Sequence, residues 1–372
     1  MPIEAAFMAG KIGFIFFLVM NLAGLLGWVE RKQSALMQDR IGANRAPIFG
    51  FRAIGLFHPL ADAIKAFTKE DFIPARAHRL FHTLAPFIAL VPALTAFAVI
   101  PFGNTMTIGG ATTNLVIADL DVGILFVFAI MSLAAFGVVL AGWSSYNNYA
   151  LLGGLRASAQ MLSYEIVMGL TLVGVFMVYE SLQLTEIARA QGEYFTIGGA
   201  NTWIPKWGIF TQPLAFFLFL TAAIAESKRL PFDVAEAESE LVAGYFIEYS
   251  GMKFLMFWMA EFVEIIVISA VVATLFLGGW QVPWLHPDGF HVPFTTAVLS
   301  LPPILISLIG VGAFLGKVIV MIWFQMTVRW TLPRFRYDQI MRLGWKMLLP
   351  LALINVVLTA IVLLALSGGS AS

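Results

Sequence analysis

Eight runs of about 20 mostly apolar residues punctuate the chain, at roughly 7–29, 80–102, 122–142, 160–179, 209–227, 254–277, 299–324 and 346–366. Each is long enough to cross about 30 Å of hydrocarbon as a helix. In lipid a spanning backbone must satisfy its own polar groups, so such runs become helices or closed barrels, and runs this long and continuous become helices. The sequence therefore predicts an all-α, polytopic integral membrane protein, with residues 1–372 forming one domain. Composition agrees: 60% of residues are apolar and 12% charged, against about 25% charged in a soluble domain. The fourth run is the weakest because it contains Glu165. Pro302 and Pro303 fit the first turn of the seventh, where proline is tolerated. No small-residue cleavage site follows the first run, which reads as a retained helix, not a signal peptide.

The charges are few and unevenly placed. Net charge is zero and there is no cysteine. The first gives no reason to expect a nucleic-acid partner, and the second excludes disulfides, thiolate-ligated iron–sulfur clusters and cysteine-bound zinc within this chain. The five histidines fall in no ligand spacing and no phosphate-binding glycine loop is present, so no bound metal or nucleotide is expected. Of the 22 Lys and Arg, eighteen lie in the odd-numbered loops, nine of them in loop 1 and five at loop 7 when Lys346 is included. Only Arg189 and Lys206 lie in the even loops, and Lys11 and Lys317 lie within spans. The positive-inside rule then puts the odd loops in the cytoplasm and both termini on the far side.

Two cytoplasmic loops carry further information. In FRAIGLFHPLADAIKAFTKED (51–71), Ile54, Phe57, Ala61, Ile64 and Phe67 share a helical face, with Asp62, Lys65 and Lys69 opposite. That is an amphipathic interfacial helix over about 52–69, with Pro59 expected to kink it. Loop 2 is rich in Gly and Thr and is expected to be extended. Loop 5, over 228–253, opens within AESKRLPFDVAEAESEL (225–241), which packs Glu226, Asp233, Glu236, Glu238 and Glu240 beside Lys228 and Arg229. Leu230 precedes proline and is biased away from helix. Asp233 with Glu236 resembles a capping box for a short helix bearing the later acids. A capped, solvated surface helix would account for it. Tyr245, Phe246 and Tyr249 behind it, with no Gly/Ser spacer, argue instead for a packed acidic loop, which would need cations from a docked partner.

Acids also sit where they are expensive. Glu165, Glu226, Glu261 and Glu264 lie in or at the edge of spans four to six, where an ionised group costs at least ~2.5 kcal/mol unless water or a partner meets it. The embedded cations are too few to pair them. One buried glutamate is as readily a structural hydrogen-bonding group as a proton carrier. Three helices with the same feature favour carboxyls that are neutral at rest and exchange protons.

Residues 225–254 closely resemble the signature loop of the H-type membrane subunit of respiratory complex I, the proton-pumping NADH:quinone oxidoreductase. VERK (29–32), PLADAIKAFTKED (59–71), GWSSYNNYALLGGLRASAQMLSYEI (142–166), MAEF (259–262) and RYDQIMRLGWKMLLPL (336–351) are similar to family segments in family order. Ser227 and Lys228 depart mildly from the usual AETNR. GANRAPIFG (42–50) departs from a GPNRVGPFG-like run at Ala43 and Ala46, while Arg40, Asn44 and Arg45 are retained.

The resemblance implies a bundle of eight transmembrane helices beside an amphipathic helix. It also implies a quinone-access chamber and the start of the proton path, joining the peripheral redox arm to the membrane arm. Quinone, as ubiquinone or menaquinone, would be the substrate; flavin, iron–sulfur clusters and metal would belong to other chains. By resemblance the quinone site would draw on Arg31, Arg40, Asp62, Arg229 and Asp233. The proton path would draw on Glu165, Glu226, Glu261, Arg156, Glu236, Glu238, Glu240 and Glu248, with Glu264 an accessory carboxyl. Implied partners are the iron–sulfur subunit near the quinone headgroup, peripheral-arm docking subunits, small membrane subunits, antiporter-like subunits and the lipid bilayer. The implied location is the inner (plasma) membrane of a bacterium, with both termini periplasmic. Rival readings are the similar subunit of a membrane-bound hydrogenase or other-donor oxidoreductase, a stand-alone cation/proton transporter, and a purely structural anchor.

Overall fold

A computed structural model describes residues 2–108, 111–197, 200–234, 238–286, 288–291 and 298–368. Its long helices are α1 (Pro2–Met37), α3 (Arg79–Ala96), α4 (Gly123–Ser144), α5 (Asn148–Tyr179), α10 (Gly251–Phe276), α11 (Pro303–Thr331) and the pair α12 (Tyr337–Leu343) and α13 (Leu349–Gly368). The last two run into one another through a π-helical turn at Gly344–Leu348. Shorter helices are α2 (His58–Thr68), α6 (Leu184–Ala190), α7 (Gly208–Thr211), α8 (Pro213–Glu226) and α9 (Glu238–Leu241). By length and composition seven segments among the described residues can cross a membrane, counting 337–366 as one.

The fifth predicted span is the exception. It arrives in two pieces, the single turn α7 and the 14-residue apolar helix α8, broken at Gln212. Pro213 supplies the reason. It lacks the N–H that would continue a helix from α7, and its fixed φ instead starts a new one. At about 1.5 Å per residue α8 covers roughly 21 Å, short of a full crossing. The helices α1 and α5, by contrast, run past the apolar stretches that predict them: α1 continues to Met37, and α5 begins at Asn148, whose neighbour Asn147 caps it by accepting from the Tyr149 N–H at 2.9 Å.

α10 is the axis of the bundle and is buried along almost its whole length. It packs on α3, α11 and α1, while α4 bridges α3 to α5, and α5 carries α8 and α13. Small residues permit the closest approaches, as in membrane interfaces generally. A Cβ on Gly137 of α4 would stand 2.7 Å from the Ala89 nitrogen of α3. One on Gly153 of α5 would stand 2.8 Å from the Gly244 Cα.

Loops 2, 4 and 6 hold short antiparallel strands: β1 (Thr105–Ile108) with β2 (Ala111–Asn114), β3 (Tyr194–Ile197) with β4 (Ala200–Pro205), and β5 (Leu285–His286), β6 (Gly289–His291) and β7 (Val298–Leu299). They are small additions to a helical fold. α2 also differs from expectation. Pro59 sits in its first turn and kinks nothing, because that is where proline's missing N–H costs no hydrogen bond. A 3-10 turn at Ala53–Gly55 precedes it, so Ile54 lies outside the helix proper.

Candidate functional site

Loop 5 is positioned first by the way α8 ends. Glu226 is its last helical residue, and Lys228 two positions later adopts φ 56°. That left-handed conformation normally falls to glycine after a helix C-terminus. In a residue with a side chain such a conformation costs on the order of 1–3 kcal/mol and persists where the surroundings over-determine it. Here they do. The Lys228 ammonium lies 3.5 Å from the Glu264 carboxylate, and both side chains are buried. Arg229 turns inward as well: it donates to Glu30 at 2.8 Å, lies 3.8 Å from Glu261 and stacks over Phe262 at 4.3 Å. Glu30 is shared, because Arg329 of α11 meets its other oxygen at 2.9 Å.

The rest of the loop is clamped from two sides. Gln160 of α5 donates to the Ala225 carbonyl at 2.7 Å and the Phe232 carbonyl at 2.8 Å. The Phe335 N–H donates to the Pro231 carbonyl at 2.9 Å, and Arg334 to the Asp233 carboxylate at 2.9 Å. Burial pushes the Asp233 carboxyl up from its usual range, and the Arg334 charge opposes that. Further on, Glu240 pairs with Arg156 at 2.7 Å, and Glu248 accepts from Asn147 at 2.7 Å. Tyr245 donates to Glu261 at 3.2 Å. The cations expected from a docked partner are thus in part supplied by the chain itself, from α5 and loop 7.

A cavity of about 270 Å³ opens where α2 crosses α1 and α10. Arg31, Asp62, Lys65 and Lys69 line it, facing Phe254 and Trp258. Arg31 and Asp62 form an ion pair of 2.6 Å on its wall. The apolar face of α2 points the other way, with Ile64 and Phe67 more than half exposed. The interfacial helix therefore keeps its charges toward the protein and its grease toward the surroundings, which for a membrane protein are lipid.

Of the residues expected to share a quinone site, the structure joins Arg31 to Asp62, and Arg229 to Glu30, the neighbour of Arg31 in the chain. Asp233 stands with Arg334. Arg40 is exposed and bonds Gln38 at 2.7 Å, apart from the others. Of the expected proton path, Glu165 of α5 accepts from Ser132 of α4. Glu226 is buried at the end of α8, within electrostatic reach of Glu264, Glu165 and Lys228. No ion pair engages Glu165 or Glu226 among the described residues. Glu261 and Glu264 do have cations, drawn in from the loop and not from any span. Glu236 lies outside the described residues, as does the side chain of Glu238, where α9 begins. The capping box expected from Asp233 and Glu236 falls there too.

Three residues of the site, Glu30, Arg329 and Arg334, do not stand out in the sequence. Glu30 reads there as the first residue of loop 1, within VERK (29–32), and the two arginines as votes for orientation. Their signal is chemical: a buried loop with several acids needs guanidinium groups, and loop 7 is rich in them. Among the described residues no cluster of three His, Asp or Glu is arranged to hold a metal.

Helices of membrane-spanning length, carboxylates in their interior and a charged cavity under an interfacial helix define a multi-pass membrane protein built to handle charge at one face. Over residues 10–360 the chain matches the NADH dehydrogenase family and belongs to it. It is 45% identical to NADH-quinone oxidoreductase H subunit 1 of Geobacter metallireducens, over 97% of this chain and 98% of that protein. It is 44% identical to the NADH-quinone oxidoreductase H subunit of Thermomicrobium roseum, over 94% of each. NADH-quinone oxidoreductase H subunit 2 of Geobacter sulfurreducens is 45% identical over 97% of this chain and 98% of its own length.

Proposed function

We propose that this chain is the H-type membrane subunit of a proton-translocating NADH:quinone oxidoreductase. In that role it forms the quinone-access chamber and the first section of the proton path. The observation that carries the reading is the cavity under α2. It is lined by Arg31 and Asp62, and the preceding residue in the chain, Glu30, is the hub of the buried Arg229–Glu30–Arg329 cluster. A substrate at this cavity would lie one residue along α1 from the charge cluster that loop 5 and α11 form on Glu30.

The chemistry follows from that connection. A quinone becomes a quinol by taking two electrons and two protons. The electrons come from a neighbouring iron–sulfur subunit, since this chain has no cysteine. The doubly reduced headgroup is an anion until protonated, and in surroundings of low effective dielectric its field acts strongly on nearby ion pairs. Arg229, Asp233 and the Arg31–Asp62 pair would respond first. Tyr245 and Glu261 would pass the change to Glu226 and Glu165, which no cation among the described residues holds in an ion pair. Catalysis by this chain is electrostatic; it needs no nucleophile or metal here. On the same reading the chain lies in a bacterial inner membrane, with loops 1 and 5 facing the cytoplasm and the peripheral-arm subunits, and antiporter-like subunits beyond the buried acids.

Asp62→Ala in the assembled complex tests the chamber. Quinone reductase activity should fall about tenfold, the equivalent of ~1.4 kcal/mol. NADH oxidation by an artificial acceptor, which needs no quinone chamber, should be unchanged. Full quinone reductase activity would remove the cavity from the reaction.

A further inference from the structure

A second cavity, of about 840 Å³, lies on the other half of α1 and takes no part in the reading above. Phe7, Phe14 and Leu18 of α1 form one wall, Leu308 and Leu315 of α11 the opposite one. Among the described residues Lys11 is the only charged side chain on its lining. Its ammonium donates to the Asn114 carbonyl at 2.7 Å and faces the Val116 carbonyl at 3.5 Å. Among the described residues no carboxylate pairs with it. Gly10 borders the same space, and a Cβ there would meet nothing within 4 Å.

Depth along the helix identifies the level of this cleft. From Phe7 to Leu18 is about 16 Å of helix, close to half of a ~30 Å hydrocarbon core. From Lys11 to Glu30, which belongs to the charged end of α1, is about 28 Å. Lys11 therefore stands near the end of the first span, on the side of the membrane opposite loop 1, and about 10 Å of apolar wall runs inward from it to Leu18. Carbonyl bonds satisfy donors but cancel no charge. An ammonium has three donors, and two carbonyls leave one for an outside acceptor.

We propose that the cleft holds an anionic glycerophospholipid, its phosphate on Lys11 and an acyl chain between α1 and α11. A quinone tail would fill the walls equally well but would bring no charge to the cation.

The test is native mass spectrometry of the purified protein, with whatever subunits accompany it, after exposure to phosphatidylglycerol or phosphatidylcholine at equal supply. The wild type should retain phosphatidylglycerol about fivefold over phosphatidylcholine, the ratio that ~1 kcal/mol supports. Lys11→Gln should abolish the preference, Lys11→Arg should keep it, and Gly10→Leu, which fills the cleft, should lose one bound lipid altogether. Equal retention of both lipids by the wild type, or an unchanged lipid count in Gly10→Leu, overturns the proposal. So does recovery of quinone in place of phospholipid. Co-purification of the same subunits as with the wild type checks that each variant is assembled.

Discussion

Lys228 and Arg229 leave loop 5 for the interior, and that inversion sets the character of the site. Hydropathy assigns both to a cytoplasmic loop; the φ of 56° at Lys228 turns the chain so that both side chains enter the bundle. A buried ion pair is a weak source of stability, but removing one partner strands the other and costs roughly 3–5 kcal/mol. Glu30→Gln takes the shared carboxylate from both Arg229 and Arg329. It should lower the thermal midpoint of the assembled protein more than Glu240→Gln, whose side chain is nearly half exposed. Equal small shifts in differential scanning fluorimetry would show the cluster to be hydrated. Glu165 and Glu226 differ from these ion-paired acids: among the described residues no cation lies within pairing distance of either. The proposed proton path runs through these two carboxyls. Gln keeps the shape and cannot carry a proton. The Glu165→Gln, Glu226→Gln double variant should therefore assemble, yet lose most proton pumping and coupled quinone reduction in proteoliposomes. Full pumping would rule this path out.

At the scale of elements, the strand group of loop 6 has a pH dependence of its own. His286 and His291 meet edge to face with ring centroids 4.6 Å apart. Burial first, then the neighbouring imidazole, lowers the His286 pKa from its ordinary value near 6.5. A lowered histidine pKa means the unfolded segment binds the proton more readily than the folded one. The associated stability is thus complete above about pH 6.5 and is lost as pH falls through the lower folded value. Amide exchange in β5 and β6 should accelerate more on going from about pH 7.5 to 5.5 than the intrinsic chemistry requires, and His286→Phe should remove the excess; identical pH profiles would refute it. Elements also show what the sequence makes legible. Hydropathy locates the long helices because lipid leaves a spanning chain few alternatives. It merges α7 with α8, since averaging over about 20 residues hides the break that Pro213 creates. The face of α2 is legible from its periodicity. That its charged side borders a cavity is not, because this depends on where α10 lies. The ion pairs of loop 5 join residues up to 199 positions apart, a distance no local pattern encodes.

The whole molecule is organised as a polarity from one membrane face to the other. Loops 1, 5 and 7 hold the guanidinium and carboxylate clusters. Loops 2, 4 and 6 hold short strands, and the embedded cations there serve backbone carbonyls: Lys317 donates to those of Gly279 and Gln281 at 2.9 and 2.7 Å, over the Trp207 ring. By the positive-inside rule the excess of Lys and Arg in the first set predicts that it faces the cytoplasm. With no native cysteine in the chain, a thiol introduced at Ser370 gives a clean measurement. An impermeant maleimide should label it from the periplasmic side of intact cells, and labelling only after the membrane is breached from the cytoplasmic side would invert the topology.

The shared carboxylate at Glu30 also imposes an order in time. It is made with the first helix, but one of its cations arrives 199 residues later and the other at position 329. A ribosome-bound chain that has delivered α1 but not yet α11 carries an incompletely matched acid at the edge of the bilayer. α1 can be inserted early, but Glu30 gains its second cation only once Arg329 has been made. Nascent chains truncated before Arg329 should accordingly remain open to membrane proteases, and those released after it should not.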